Sequence, residues 1–246
     1  MFVVLILLLG VVIAYLVLKG AIQTPGGRLV VLGRPLRSRL SKLAGRGFVL
    51  SPIQHPPIEL EATSRIFQSL GFEFVVQGSQ TSRIVTAILV HEPCCVIAQA
   101  SWQRMPRSGQ PRTNVMLLST ASERRGALVT GNTGFDFAGP LWQMDQVFPH
   151  ASIDVLVDRH EEARRSLEGR GVRFDPVGPS DAVDALAWHL SKSIASLLEL
   201  TNEGLADYSL RRARNPYRQP VTLESKLDDP ETTVWIAAMR AEAPSP

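Results

Sequence analysis

No aspartate or glutamate occurs in this 246-residue chain before Glu59, and its only cysteines are the neighbours Cys94 and Cys95. Each shortage excludes something. Two adjacent thiols do not make a disulfide scaffold, because a bridge between them demands an unusual peptide geometry. Paired C-x-x-C zinc sites are ruled out for want of ligands. The sequence has no H-E-x-x-H, no G-x-S-x-G, no P-loop lysine and no G-x-G-x-x-G. That removes the motif-borne routes to zinc-protease, serine-hydrolase and nucleotide chemistry. The glycine-rich stretch "GALVTGNTGFDFAGP" has no helix immediately after it to cradle a phosphate. No internal repeat or low-complexity tract is present.

The missing acids sharpen what is there. Lys19, Arg28, Arg34, Arg37, Arg39, Lys42 and Arg46 are seven of the chain's 26 Lys and Arg. The other 19 face 23 acids, so the formal +3 of the whole divides into a basic stem and a body of net −4. Such a body lacks the clustered cations of a nucleic-acid surface. Ahead of the stem, residues 2–18 are almost wholly apolar. At 1.5 Å per helical residue they fall at the short end of what spans a bilayer core of about 30 Å. A signal peptide would carry cations before the run and a small-residue cleavage site after it. Neither is found, which favours an uncleaved transmembrane anchor at 1–19. All the cations follow the run, so the positive-inside tendency puts the amino terminus outside and the body in the cytoplasm, at the inner membrane.

The stem and linker, 20–57, contain "RPLRSRLSKLAG", where Pro35 suits a first helical position and Gly45 a stop. Leu36, Leu40 and Leu43 fall on one face, and Arg34, Arg37, Arg39 and Lys42 are the expected contacts to anionic lipid. The alternative is a solvated linker helix whose leucines pack on the body. The prolines of "SPIQHPPIE" then read as a stiff connector.

Residues 58–203 read as a soluble α+β domain. A helix is expected from Glu59 to Leu70, closed by Gly71. The strand-like runs "FEFVVQG", "RIVTAILV", "CCVIAQASW", "TNVMLLST" and "GALVTGN" follow at short gaps, which predicts an antiparallel meander. Asp136 to His150 reads as an irregular loop. Ser152 opens a helix to Glu168, and Ser180 opens a longer one to Leu200, both fit to pack on the sheet. In the tail, 204–246, the chain loosens into "RRARNPYRQP" and ends in a short helix capped by Asp229 with Pro230 first.

The segments "SLGFEFV", "AILVHEPCCVIAQAS" and "ALVTGNTG", behind an amino-terminal span, resemble a loosely defined group of bacterial membrane-anchored α+β proteins with no assigned activity. The likeness covers about residues 60–175. It implies the architecture and carries no function.

Three places hold candidate sites. In "VHEPCC", His91 is a candidate base and Cys94 or Cys95 a nucleophile. Strand alternation sends the two thiols to opposite faces, so packing is the favoured reading. His160 shares a helical stripe with Ile153, Leu156, Ala163 and Leu167, as a general base or a satisfied core histidine. Trp188 lies off the apolar stripe of its helix, while Trp235 and Met239 belong to the last helix. These three are the expected protein-docking residues, unless the tail folds back over Trp188. The resulting expectation is a tethered cytoplasmic scaffold that docks a membrane-associated protein, without metal, cofactor or catalysis. The alternatives are a thiol-dependent hydrolase or transferase acting near the membrane, and a domain binding lipid or another apolar ligand.

Overall fold

The computed structural model describes residues 25–45, 47–81, 84–104, 111–132, 142–213 and 220–240. The expected anchor at 1–19 lies outside them, and no helix among the described residues is long and apolar enough to cross a membrane. The helices are α1 (Pro25–Ala44), α2 (Ile58–Ser69), α3 (Ile153–Glu168), α4 (Pro179–Glu199), α5 (Asn202–Ala213) and α6 (Pro230–Met239). The chain forms two compact units, Gly47–Ser193 with Pro216–Pro246, and Met1–Arg46 with Ile194–Asn215.

The larger unit is α+β. Strands β1 (Glu73–Thr81), β2 (Ile84–His91), β3 (Val96–Arg104), β4 (Pro111–Ala121), β5 (Gly126–Gly131) and β6 (Gln143–Val147) lie side by side in chain order. The first five form the expected antiparallel meander. The sixth makes the sheet mixed: β6 runs parallel to β5, with Ala127 opposite Gln143 and Gly131 opposite Val147. This corrects the irregular loop expected up to His150. Three of the five β6 residues are polar, so the strand lacks an apolar signal, yet Gln143 and Gln146 are buried. Their amides are satisfied by tertiary partners that local patterning does not reveal.

Alternation along the strands sends side chains to two covered faces. On one, Ala87, Leu89, Ala98 and Leu117 meet Leu60 and Phe67 of α2 and Leu156 of α3. Further along the sheet, Leu128 and Met144 pack with Ala163 and Leu167 of α3 and with Trp235, Ile236 and Met239 of α6. On the other face, Ile88, Val90, Ile97 and Leu118 meet Ala182, Ala185 and Leu186 of α4. Strand β2 is apolar on both faces because helices cover both. Gly71 ends the α2 turn at φ 89°, where a side chain would be strained.

In the smaller unit α1 packs along α5, and Leu40, Leu205 and Ala206 are buried. Two expectations fail here. Pro35 sits inside α1 rather than at its start, and α5 continues helix through Ala213, where a loosened chain was expected after Gly204. Proline forfeits one backbone bond and crowds the preceding turn. Neither penalty prevents α1 from extending on both sides of Pro35.

Candidate docking site

Three consecutive residues of the β4–β5 turn, Ser122, Glu123 and Arg124, have left-handed backbone, with φ of 53°, 61° and 61°. For side-chain-bearing residues this costs roughly 1 kcal/mol or more each. The turn is held from outside. The Asp175 carboxylate accepts the Glu123 and Arg124 N–H groups at 2.7 and 2.8 Å. The Ser122 hydroxyl donates to the Met239 carbonyl at 2.6 Å, and its N–H donates to the Arg173 carbonyl at 3.0 Å. Beside the turn runs a groove of about 500 Å³, lined by Ser122, Glu123, Arg125 and the segment from Arg173 to Pro176.

Lys192 joins this groove to an aromatic corner. Its Nζ donates to the Arg125 carbonyl at 2.8 Å and lies 5.2 and 5.0 Å from the ring centres of Trp142 and Trp188. The two indoles meet edge to face at 5.9 Å. Partial desolvation holds the Lys192 ammonium below the ordinary lysine range. His189 lies 5.5 Å from the Trp142 ring and donates from Nε2 to Gln143 Oε1 at 2.8 Å. Burial pushes its pKa down to about 4. Trp142 is buried and Trp188 half-buried. A fixed, partly exposed indole with a cation over its face is equipped to bind.

The other expected site residues are dispersed. Trp235 and Met239 are 1 % and 4 % exposed, inside the core beneath α6. Their burial gives the expected docking role no support: the face carrying Thr232, Trp235, Ile236 and Met239 is turned inward, while Val234 on the other side of the helix is exposed. Among the described residues, the ring packed against Trp188 is that of Trp142. "CCV" also departs from expectation, because Glu92–Cys94 form a 3-10 turn and Cys95 is left-handed at φ 51°. The strand alternation assumed for the thiols thus begins only at Val96. Cys95 is a half-buried free thiol. The His91 ring lies 5.1 Å from Phe72, and its Nδ1 is buried without a hydrogen-bond partner.

Among the expected lipid contacts, Arg34, Arg39 and Lys42 are exposed. Arg37 is not available: its guanidinium donates to Asn202 Oδ1 at 2.9 Å, to the Leu198 carbonyl at 2.8 Å and to the Leu200 carbonyl. Leu198 is in the last turn of α4 and Leu200 just follows it, where a cation suits the negative end of the helix.

His160 is fully buried and belongs to a directed hydrogen-bond chain. The Leu223 N–H donates to Gln146 Oε1 at 3.2 Å, and Gln146 Nε2 donates to Thr130 Oγ1 at 3.1 Å. The Thr130 hydroxyl then meets His160 Nδ1 at 2.9 Å, and His160 Nε2 meets Ser119 Oγ at 2.9 Å. Ser119 donates onward to the Cys95 carbonyl at 2.8 Å. One neutral tautomer, protonated at Nε2, satisfies every link. Desolvation, with Arg164 adding repulsion, pushes the His160 pKa down to about 3. The site joins sheet, helix and tail, and its imidazole is sealed from any substrate. No family model, curated protein or solved structure matches the chain.

Proposed function

We propose that this chain is a single-span tethered scaffold whose larger unit docks a membrane-associated protein at the Trp188–Lys192–Arg125 corner and its groove. The apolar run at 2–18 is the tether, the basic stem meets anionic lipid on the inner side, and the body is cytoplasmic. Tethering raises the effective concentration of any partner in the same membrane. The observation that carries the docking assignment is Trp188 itself, half-buried and braced edge to face on Trp142 beneath Lys192. Tryptophans immobilised before contact lose little entropy on binding and dominate interface energetics.

The experiment is a quantitative pull-down of the full-length protein in mild detergent. Trp188→Ala and Lys192→Glu are expected to weaken a discrete co-purifying protein by on the order of thirtyfold with the fold intact. Trp235→Ala should instead cost about 3–5 kcal/mol of stability, since it empties core. A partner that stays on both folded surface variants removes the corner as the docking surface.

A further inference from the structure

Three arginines of the larger unit converge on Ser122. Its carbonyl accepts the Arg125 Nε–H at 3.1 Å, and its N–H donates to the Arg173 carbonyl at 3.0 Å. Its hydroxyl donates to the carbonyl of Met239, the residue before Arg240. Arg240 is fixed in turn, with Nε donating to the Arg170 carbonyl at 3.2 Å. Arg125, Arg173 and Arg240 are all exposed, and among the described residues none of them forms an ion pair. They gather in a unit that is acidic as a whole. Residues 47–193 and 216–246 hold 16 Lys and Arg against 20 acids, a net of −4. A guanidinium anchored at Nε presents its terminal nitrogens as a planar fork, the geometry that takes a carboxylate by two parallel hydrogen bonds. The two acids lining the groove do not cancel this. Both Asp175 oxygens accept N–H groups of the turn, so its charge is spread over two backbone dipoles. Glu123 alone leaves a carboxylate uncommitted on the groove wall, among the described residues. Phe174 and Pro176 add apolar surface beside the arginines. That mixture suits a peptide carrying both carboxylates and apolar side chains. A bare phosphate chain would match the charge but not the apolar wall.

We infer that the groove takes an acidic peptide segment of the docked protein, its carboxylates held by Arg125, Arg173 and Arg240. The inference rests on the docking reading above and names the chemistry of the partner. The left-handed turn is the device that holds the fork in place: Asp175 and Met239 fix the strained backbone from outside, and Ser122 fixes Arg125. Glu123 sets the limit on affinity, because it repels the ligand it faces.

The test is fluorescence anisotropy on the full chain in mild detergent, with two labelled hexapeptides. One consists of glutamates with one leucine and one phenylalanine; the other has glutamine in place of every glutamate. The acidic peptide is expected to bind on the order of tenfold tighter, by a margin that shrinks in about 0.5 M salt. Arg125→Gln with Arg173→Gln should erase the margin while thermal unfolding stays cooperative. Glu123 serves the turn through its N–H, so Glu123→Gln leaves that bond in place and should widen the margin about threefold. Equal binding of the two peptides, a margin that survives the arginine variant, or no widening in Glu123→Gln overturns the assignment. Phosphatidylglycerol doped into the detergent, or polyuridylate, binding tighter than the peptide through the same arginines overturns it in favour of lipid or nucleic acid. A co-purifying protein lost on Trp188→Ala yet kept on the arginine variant leaves the docking corner standing and sinks the acidic ligand. An acidic peptide held through the arginines, while every co-purifying protein survives Trp188→Ala, does the reverse.

Discussion

At the scale of the residue, His160 shows how a chemically suggestive side chain becomes structural. Its ring is next to a serine hydroxyl, yet the hydroxyl hydrogen is committed to the Cys95 carbonyl and no solvent path reaches the pair. The consequence is thermodynamic. An imidazole with a folded pKa of about 3 and an unfolded one of about 6.5 leaves the unfolded chain binding more protons between those values. The stabilisation is complete above pH about 6.5 and is lost as the pH falls toward 3. His189, pushed down to about 4, acts in the same direction. Urea unfolding at a series of pH values should show wild-type stability declining below pH about 6.5. His160→Leu should cost about 2–4 kcal/mol at neutral pH, because the Thr130 hydroxyl loses its acceptor and the Ser119 oxygen loses its donor, and should flatten part of the acid slope. A variant with the wild-type slope would show that His160 already titrates normally in the fold.

At the scale of the element, patterning succeeds where one face is apolar and the other wet, and fails where polar groups are buried in company. The helical stripe at Leu156, His160, Ala163 and Leu167 and the five meander strands were legible because their apolar residues recur at the period of the element. Strand β6 was not, because Gln143, Asp145 and Gln146 look like loop residues until Thr130, His189 and Leu223 are brought to them. The last helix was legible in its cap, where Asp229 accepts the Glu231 N–H at 3.0 Å, but its burial was not. That burial depends on Gly126, where an added Cβ would overlap the Met239 sulfur and come 3.2 Å from the Trp235 ring. Gly126→Ala is therefore expected to push α6 off the sheet. Its cost is about 1–3 kcal/mol by denaturation, and protease cleavage within 220–240 should quicken. Unchanged stability and cleavage would mean that α6 is not seated on β5.

At the scale of the whole molecule, charge and grease together set the expected orientation. If the stem holds the body inside, trypsin added to sealed cells should spare it, and permeabilisation should expose it. Cleavage before permeabilisation would reverse the topology and detach the docking proposal from every cytoplasmic partner. The amino-acid sequence by itself determined the α+β class, the run of meander strands, the Asp229 cap of the last helix and the segregation of cations, because these follow from local period, local turn chemistry and composition. Ser180, expected to open its helix, lies inside one that starts at Pro179. Only the tertiary structure decided which of the two expected docking tryptophans keeps an exposed edge, that Arg37 serves a helix end, that β6 joins the sheet and that α5 packs along the stem helix. Those outcomes depend on which distant groups meet, and a side chain's surroundings are a property of the assembled layers, not of its neighbours along the chain.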